Sequence, residues 1–192
     1  MPKPNVREQI INAGLATLYA KGFNATSVQD ITEAAGVPKG SFYNHFASKE
    51  VLGVEVVKLY AARAHQPRAV QDDAHRTPLE RIEQDFRIKV AMNVDSAYAC
   101  GCLLGNFSTE LSSQSTVIRA QVELAYQEWA DMLAQTIAAA QEDGSVPLDW
   151  SAAERANAIV NAWQGAVARS RAAQSRAPLD LFLKMLMSKL LK

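Results

Sequence analysis

Apolar residues recur along nearly the whole chain at steps of three to five, the spacing of one face of a helix. Val6, Ile10, Ile11, Leu15 and Leu18 form the first such face, and Gly22 can end that helix in a left-handed cap. Thr26 or Ser27 then offers an N-cap, with Asp30 three residues after Ser27. Val28, Ile31 and Ala35 make the inner face of this second helix, and Gly36 stops it. Pro38 suits the first turn of a short third helix. Ser48 caps a fourth, which carries Glu50 in its first turn and Val51, Leu52, Val54, Val56, Val57 and Tyr60 behind it.

Residues 65–77 are polar and without period, so a loop or frayed helix end is expected there. Thr77-Pro78-Leu79-Glu80 is a capping box with proline at the first helical position; the helix it opens runs to about Met92 and carries Ile82, Phe86, Ile88 and Val90. The segment DSAYACGCLLGNFSTELSS is apolar and punctuated by glycine, with a short helix from about Cys102 to Leu111. Ser115 can cap a long helix to about Glu142. Ser151 and Glu154 form a second capping box, opening an alanine-rich helix to about Ser175, and Pro178 opens the last helix. No stretch alternates with period two, so the expected fold class is all-α.

A hydrophobic fraction of 48% over 192 residues is enough for a buried core in one or two domains. Twenty basic residues balance twenty acidic ones, so net charge points to no polyanion partner. In the first fifty residues Lys3, Arg7, Lys21, Lys39 and Lys49 face Glu8, Asp30, Glu33 and Glu50, so any basic footprint must come from arrangement. Cys100 and Cys102 are too closely spaced for an ordinary disulfide within a helix, and no His/Cys pattern has zinc spacing. The N-terminus lacks the apolar run of a signal peptide, and no apolar segment reaches about 18 residues. These features lead to the expectation of a reduced, cytoplasmic protein with no metal, no cofactor and no membrane partner.

The chemistry concentrates at residues 26–46. One short helix, a turn containing Gly36 and a second short helix outline a helix-turn-helix. Phe42 and Phe46 are four apart and share a face that can anchor the second helix against Ile31. Lys39, Tyr43, Asn44, His45 and Lys49 then fall on or beside the outer side, and Gly40 and Ser41 sit at the helix start, where a backbone can approach closely. Lysines, hydroxyls and a helix N-terminus are groups that contact phosphates, and Asn or Gln can read a base edge. A merely solvated face would be richer in Glu and Lys than the Tyr-Asn-His run found here.

Residues 5–57, and above all GFNATSVQDITEAAGVPKGSFYNHFASKEVL, resemble the DNA-binding domain of the TetR/AcrR family of transcriptional regulators, without a gap through helices one to four. The resemblance implies a homodimeric, all-helical regulator, most often a repressor. An N-terminal three-helix helix-turn-helix domain, residues 1–50, would bind a palindromic double-stranded operator. A helical C-terminal domain, residues 51–192, would bind a small-molecule inducer and dimerise through the last two helices. Carried over residue by residue, it implies that Ser27 and Gln29 touch phosphate or a base edge. Lys39 and Gly40 would sit deepest in the major groove, and Ser41 is counted with the DNA-binding residues. Tyr43, His45 and Lys49 would hold phosphates, and Asn44 occupies a variable position open to a base contact.

In the C-terminal part, candidate pocket residues are Phe86, Met92, Tyr98, Cys102, Phe107, Tyr126, Trp129 and Trp163, set against the plainer role of aromatic core. The phrase GCLLGNFSTEL resembles the subgroup that includes the N-ethylmaleimide-reductase repressor and the acrylate-utilisation regulator. In the former a cysteine at the matching position senses electrophiles and hypohalous oxidants, so an alternative is a thiol-based electrophile- and oxidant-sensing regulator acting through Cys102. A thiol near a helix N-terminus is chemically suited to that role, and a small buried hydrophobe is the plainer one. An enzyme pairing Cys102 with a histidine finds no support around His45, His65 or His75. A protein-interaction module with a lapsed DNA face is countered by the intact Lys39, Tyr43, His45 and Lys49.

Overall fold

The computed structural model describes residues 5–65, 75–99 and 101–192. Cys100 and most of the expected loop at 65–77 lie outside the described residues. Within them the chain forms nine α-helices, a terminal π-helical turn and no strand. The helices are α1 (Val6–Lys21), α2 (Val28–Ala34), α3 (Lys39–Tyr43), α4 (Lys49–His65) and α5 (Pro78–Asp95). They continue as α6 (Leu103–Leu111), α7 (Thr116–Glu142), α8 (Ala152–Ala173) and α9 (Ala177–Met185), before the π-helical turn at Leu186–Leu190.

Two compact units result. The first joins residues through Ala64 with Cys102–Ala125, and the second joins His65–Gly101 with Tyr126–Lys192. The helix-turn-helix segment thus shares a unit with α6 and the start of α7. The core of this unit is Ile10 and Leu18 of α1, Ile31 of α2, Phe42 of α3, Leu52, Val56 and Val57 of α4, and Leu103 and Phe107 of α6, all fully buried. In the second unit Phe86 of α5, Trp163 of α8 and Phe182 of α9 meet ring to ring at 5.1–5.4 Å. Buried Ile137 and Ala140 of α7 and Ile159 of α8 extend that core. Arg155 of α8 is buried with them, ion-paired to Asp149 and donating to the Leu190 carbonyl at 2.6 Å.

The helix starts follow the expected caps. Ser27, Thr77 and Ser151 each close a reciprocal capping box, with Asp30, Glu80 and Glu154 respectively. Two helix ends differ from expectation. Helix α5 continues past Met92 to Asp95 and is ended by Ala97 and Tyr98 in left-handed conformations, with the Tyr98 N–H returning to the Asn93 carbonyl at 2.9 Å. Helix α8 stops at Ala173 because Gln174, not a glycine, takes the left-handed cap (φ 46°).

The caps set an acid limit to stability. Backbone and hydroxyl hydrogen bonds from Thr77 hold the Glu80 carboxyl below its ordinary value, and the Ser151 hydroxyl and N–H do the same for Glu154. A carboxyl whose folded value is depressed contributes stability that is present above the unfolded value. That contribution is lost as pH falls through the folded one. The melting temperature is therefore expected to fall as pH drops below about 4, the range of unperturbed carboxyls. Ser151→Ala should lower the melting temperature at neutral pH and flatten this acid slope; an unchanged slope in a calorimetric pH series would remove Glu154 from the account.

Candidate nucleic-acid interface

The turn between α2 and α3 is closed by backbone alone. Gly36 takes a left-handed conformation (φ 67°), its N–H returns to the Glu33 carbonyl at 3.1 Å, and the Val37 N–H reaches the Thr32 carbonyl at 3.0 Å. Phe42 and Phe46, at 0% and 2% exposure with ring centroids 5.5 Å apart, pin α3 and the turn after it to the core. With that face spent, Lys39, Gly40, Tyr43, Asn44 and His45 are exposed and Ser41 is half-buried. Tyr43 is 59% exposed yet ordered by an edge contact of its ring with Phe42 at 5.3 Å. The result is a short helix whose outer surface carries a cation and a phenol, followed by a turn that carries an amide and an imidazole.

Gly40 is informative because the protein's own packing does not require it. A Cβ added there meets nothing within 4 Å. A helical glycine costs about 0.5–1 kcal/mol relative to alanine. Its bare surface suits the close approach of a partner to the start of α3. Gly40→Ala is accordingly expected to raise the melting temperature slightly while weakening DNA binding. A variant that gained stability and bound duplex DNA as before would show that nothing approaches α3 at this point.

Other site candidates are engaged within the protein. Ser27 is exposed, but its hydroxyl is bound to Asp30 in the α2 capping box and its N–H donates to Asp30 Oδ2 at 2.8 Å. The Ser27 hydroxyl, with Lys21 at 3.0 Å, holds the Asp30 carboxyl well below the usual carboxylate range. Gln29 is exposed and donates to Glu33 at 2.8 Å. Lys49 is turned inward: Nζ donates to the carbonyls of Phe23 at 2.8 Å and Thr26 at 2.7 Å, and lies 4.4 Å from the Phe23 ring centroid. Burial lowers its pKa, opposed by the Glu110 and Asp30 carboxylates. Its ammonium organises the turn between α1 and α2.

The pocket candidates divide between the two units. In the second, Phe86 packs on Trp163, and Lys89 of α5 lies 5.7 Å from the Phe86 ring and 5.9 Å from that of Trp129. Lys89 is paired at 2.5 Å with Asp85, and both side chains are largely buried. This aromatic-flanked ion pair escaped sequence reasoning, because Lys and Asp four apart on a helix read as an ordinary surface pair. Tyr126 and Tyr98 are half-buried, and Met92 is 55% exposed. In the first unit, Phe107 is fully buried with its ring edge-on to Phe23 at 5.8 Å. Cys102 is 7% exposed and its sulfur accepts from the Tyr60 hydroxyl at 3.6 Å. Burial pushes the Tyr60 phenol up. A sulfur packed this way behaves as a small apolar group, which disfavours the alternative of thiol-based electrophile and oxidant sensing.

Glu110, in the last turn of α6, was also missed. Its two oxygens accept the backbone N–H groups of Phe23 and Asn24 at 2.9 and 2.5 Å. It is the one acidic residue in the stretch GCLLGNFSTEL, and nothing in the local pattern shows where it points. Among the described residues there is no group of His, Cys, Asp and Glu that could hold a metal, and no helix is long and apolar enough to cross a membrane.

Comparison with known proteins agrees with this geometry. Residues 10–56 match the model for bacterial regulatory proteins of the tetR family, and residues 78–186 match that for the tetracyclin repressor-like C-terminal domain. The chain is 35% identical over 192 residues to the HTH-type transcriptional repressor DhaR of Mycobacterium sp. (strain GP1), covering 100% of this chain and 95% of that protein. It is 30% identical over 180 residues to the transcriptional regulator AcuR of Cereibacter sphaeroides, covering 92% and 81% of the two chains. A crystal structure of the regulatory protein TetR from Rhodobacter sphaeroides superposes with a TM-score of 0.85 at 29% identity, covering 94% of this chain and 96% of that one. The relatives are named as regulators of transcription and not as enzymes.

Proposed function

We propose, for a chain that belongs to the TetR family and is therefore a DNA-binding transcriptional regulator, that it is a homodimeric repressor released from a palindromic operator by a small-molecule inducer. The observation that carries the DNA-binding half is the outer face of α3 and the turn after it, where Lys39, Gly40 and Tyr43 on the helix and Asn44 and His45 just beyond it stand exposed, held by buried Phe42 and Phe46. Lys39 and Gly40 lead the helix into the major groove, and Tyr43 and His45 hold backbone phosphates. Ser27 and Gln29 reach the backbone from the start of α2 by exchanging their present partners for phosphate oxygens. Lys49 acts from behind, by fixing the turn that leads into α2.

Residues 1–50 are the DNA-binding domain in this account, and 51–192 the ligand-binding and dimerisation domain. Dimerisation through α8 and α9 is supported by Leu181 and Met185, four apart on α9 and exposed by 57% and 40%. The inducer site in this reading lies beside Phe86, Trp129 and Trp163; in support, the rings of Phe86 and Trp129 flank Lys89, which pairs with Asp85. Inducer binding shifts α4 and changes the separation of the two recognition helices from the roughly 34–36 Å that successive major grooves require. By linkage, operator and inducer weaken each other's binding by the same factor.

The test is a salt titration of binding to duplex DNA from upstream of the protein's own and neighbouring genes. Binding is expected to weaken steeply with salt, and Lys39→Ala should reduce the slope of log affinity against log salt by about one unit. No binding to any such duplex, or a slope untouched by Lys39→Ala, would count against the assignment of α3 to the groove.

A further inference from the structure

The turn between α1 and α2 is held by side chains from two other helices, and the chemistry of the two grips is complementary. Glu110 of α6 takes donors: Oε2 accepts the Phe23 N–H at 2.9 Å and Oε1 the Asn24 N–H at 2.5 Å. Lys49 of α4 serves acceptors, the carbonyls of Phe23 and Thr26. Two successive N–H groups on one carboxylate form a charge-assisted, directional contact. The backbone is shaped to receive it. Gly22 is left-handed at φ 88°, and a Cβ added there would lie 3.3 Å from Glu110 Oε2. Phe23 extends the grip through its ring, edge-on to Phe107 of α6. A Cβ on Gly53 of α4 would come within 3.0 Å of that ring, so a bare backbone is needed for Phe23 to seat.

The turn leads straight into DNA-facing structure. Thr26 closes it through a hydroxyl bond to the Gly22 carbonyl at 2.6 Å, and the next residue, Ser27, caps α2. Helix α6 itself carries none of the side chains assigned to DNA. A rigid link from α6 to the turn that leads into the helix-turn-helix therefore has a use beyond satisfying two N–H groups, of which that of exposed Asn24 could be served by water.

We propose that Glu110 is a positioning residue for DNA binding: its carboxylate couples α6 to the helix-turn-helix through the turn at residues 22–26, so that displacement of α6 moves the start of α2. This rests on the DNA-binding reading above and adds to it a route that does not pass through α4 alone. Because coupling is reciprocal, it acts in both directions. Operator bound at α2 and α3 steadies α6, and movement of α6 unsettles α2.

The experiment is hydrogen exchange on the full-length protein, with and without the duplex it binds, for the wild type and Glu110→Gln. The amide keeps the volume of the carboxylate but offers one acceptor where two N–H groups need one each. Operator is expected to slow exchange in α3 in both proteins. It is expected to slow exchange in α6 by about fivefold or more in the wild type, and by less than about twofold in the variant. Operator affinity should fall in the variant with its salt slope unchanged, since no phosphate contact is lost. Equal protection of α6 in the two proteins, or none in the wild type, overturns the proposal. If Glu110→Gln does not hold its fold, Glu110→Asp, which keeps the charge with a shorter reach, takes its place; failure of both to fold assigns Glu110 to stability alone and overturns the proposal as well. Absence of duplex binding by the wild type is a separate result: it removes the DNA-binding reading, and the proposal with it.

Discussion

Phe42→Ala is expected to destabilise the protein by about 3–5 kcal/mol and to abolish operator binding at assay temperature. Phe42 is fully buried, packs against Phe46 with tilted rings 5.5 Å apart and supports the Tyr43 ring at 5.3 Å. Helix α3 has only five residues, Lys39–Tyr43, too few to be stable without tertiary support. Removing the ring leaves a cavity under the recognition helix and deprives Tyr43 of its platform. Urea unfolding measures the first effect and fluorescence anisotropy on a labelled duplex the second. The two should be unequal: an early unfolding transition of the DNA-binding region, ahead of the rest of the chain, is expected. Phe42→Leu should recover part of both. A Phe42→Ala protein that unfolds and binds as the wild type does would mean that α3 is held by something other than its aromatic face.

The second large effect is expected at Arg155. Its guanidinium is 2% exposed, donates to the carbonyls of Leu190 at 2.6 Å and Pro147 at 3.4 Å, pairs with Asp149 and lies 5.9 Å from the Trp150 ring. One side chain thus ties the connection between α7 and α8 to the π-helical turn at the C-terminus. The pair with Asp149 is not the main contribution, because that carboxylate is 63% exposed and returns to water when released. The cost of removal lies in the Leu190 carbonyl left without its donor and in the lost packing, about 2–3 kcal/mol together. Arg155→Ala should therefore lower the urea midpoint, and Arg155→Lys should not rescue it, since one ammonium cannot span three acceptors. If α9 contributes to the dimer, the variant should also dissociate at lower dilution in sedimentation velocity. Full rescue by lysine would show that charge, and not the fork of the guanidinium, is what the site requires.

What could be read from the sequence was local. The caps at Ser27, Thr77 and Ser151 depend on residues three apart, and all three form. The outward face of α3 was legible because Phe42 and Phe46 sit four apart and leave the other residues no core to enter. What escaped depends on chain segments brought together by folding. Lys49 looks like a helix-start lysine poised for phosphate, and only the nearness of the Phe23 and Thr26 carbonyls turns it inward. Glu110 meets its partner across 87 residues of sequence. Asp85 and Lys89 have the spacing of a solvated helix pair, and only the packing of Phe86 and Trp129 around them makes the pair an interior one. The Glu110 contact and the edge packing of Phe107 on Phe23 tie α6 to the DNA-binding helices within one compact unit, a grouping that the order of the chain hides.

The central claim is that α3 reads DNA as one of two symmetry-related copies. Selection of bound sequences from a pool of random duplexes, followed by measurement of mass and stoichiometry of the complex on the enriched site, tests it most directly. The expected outcome is a palindromic sequence whose half-sites lie one helical turn, about 10–10.5 base pairs, or a multiple of it apart, occupied by two chains or a multiple of two. Binding should be lost with Phe42→Ala and weakened with Lys39→Ala. Enrichment of no sequence, or of an asymmetric site bound by a single chain, would contradict it.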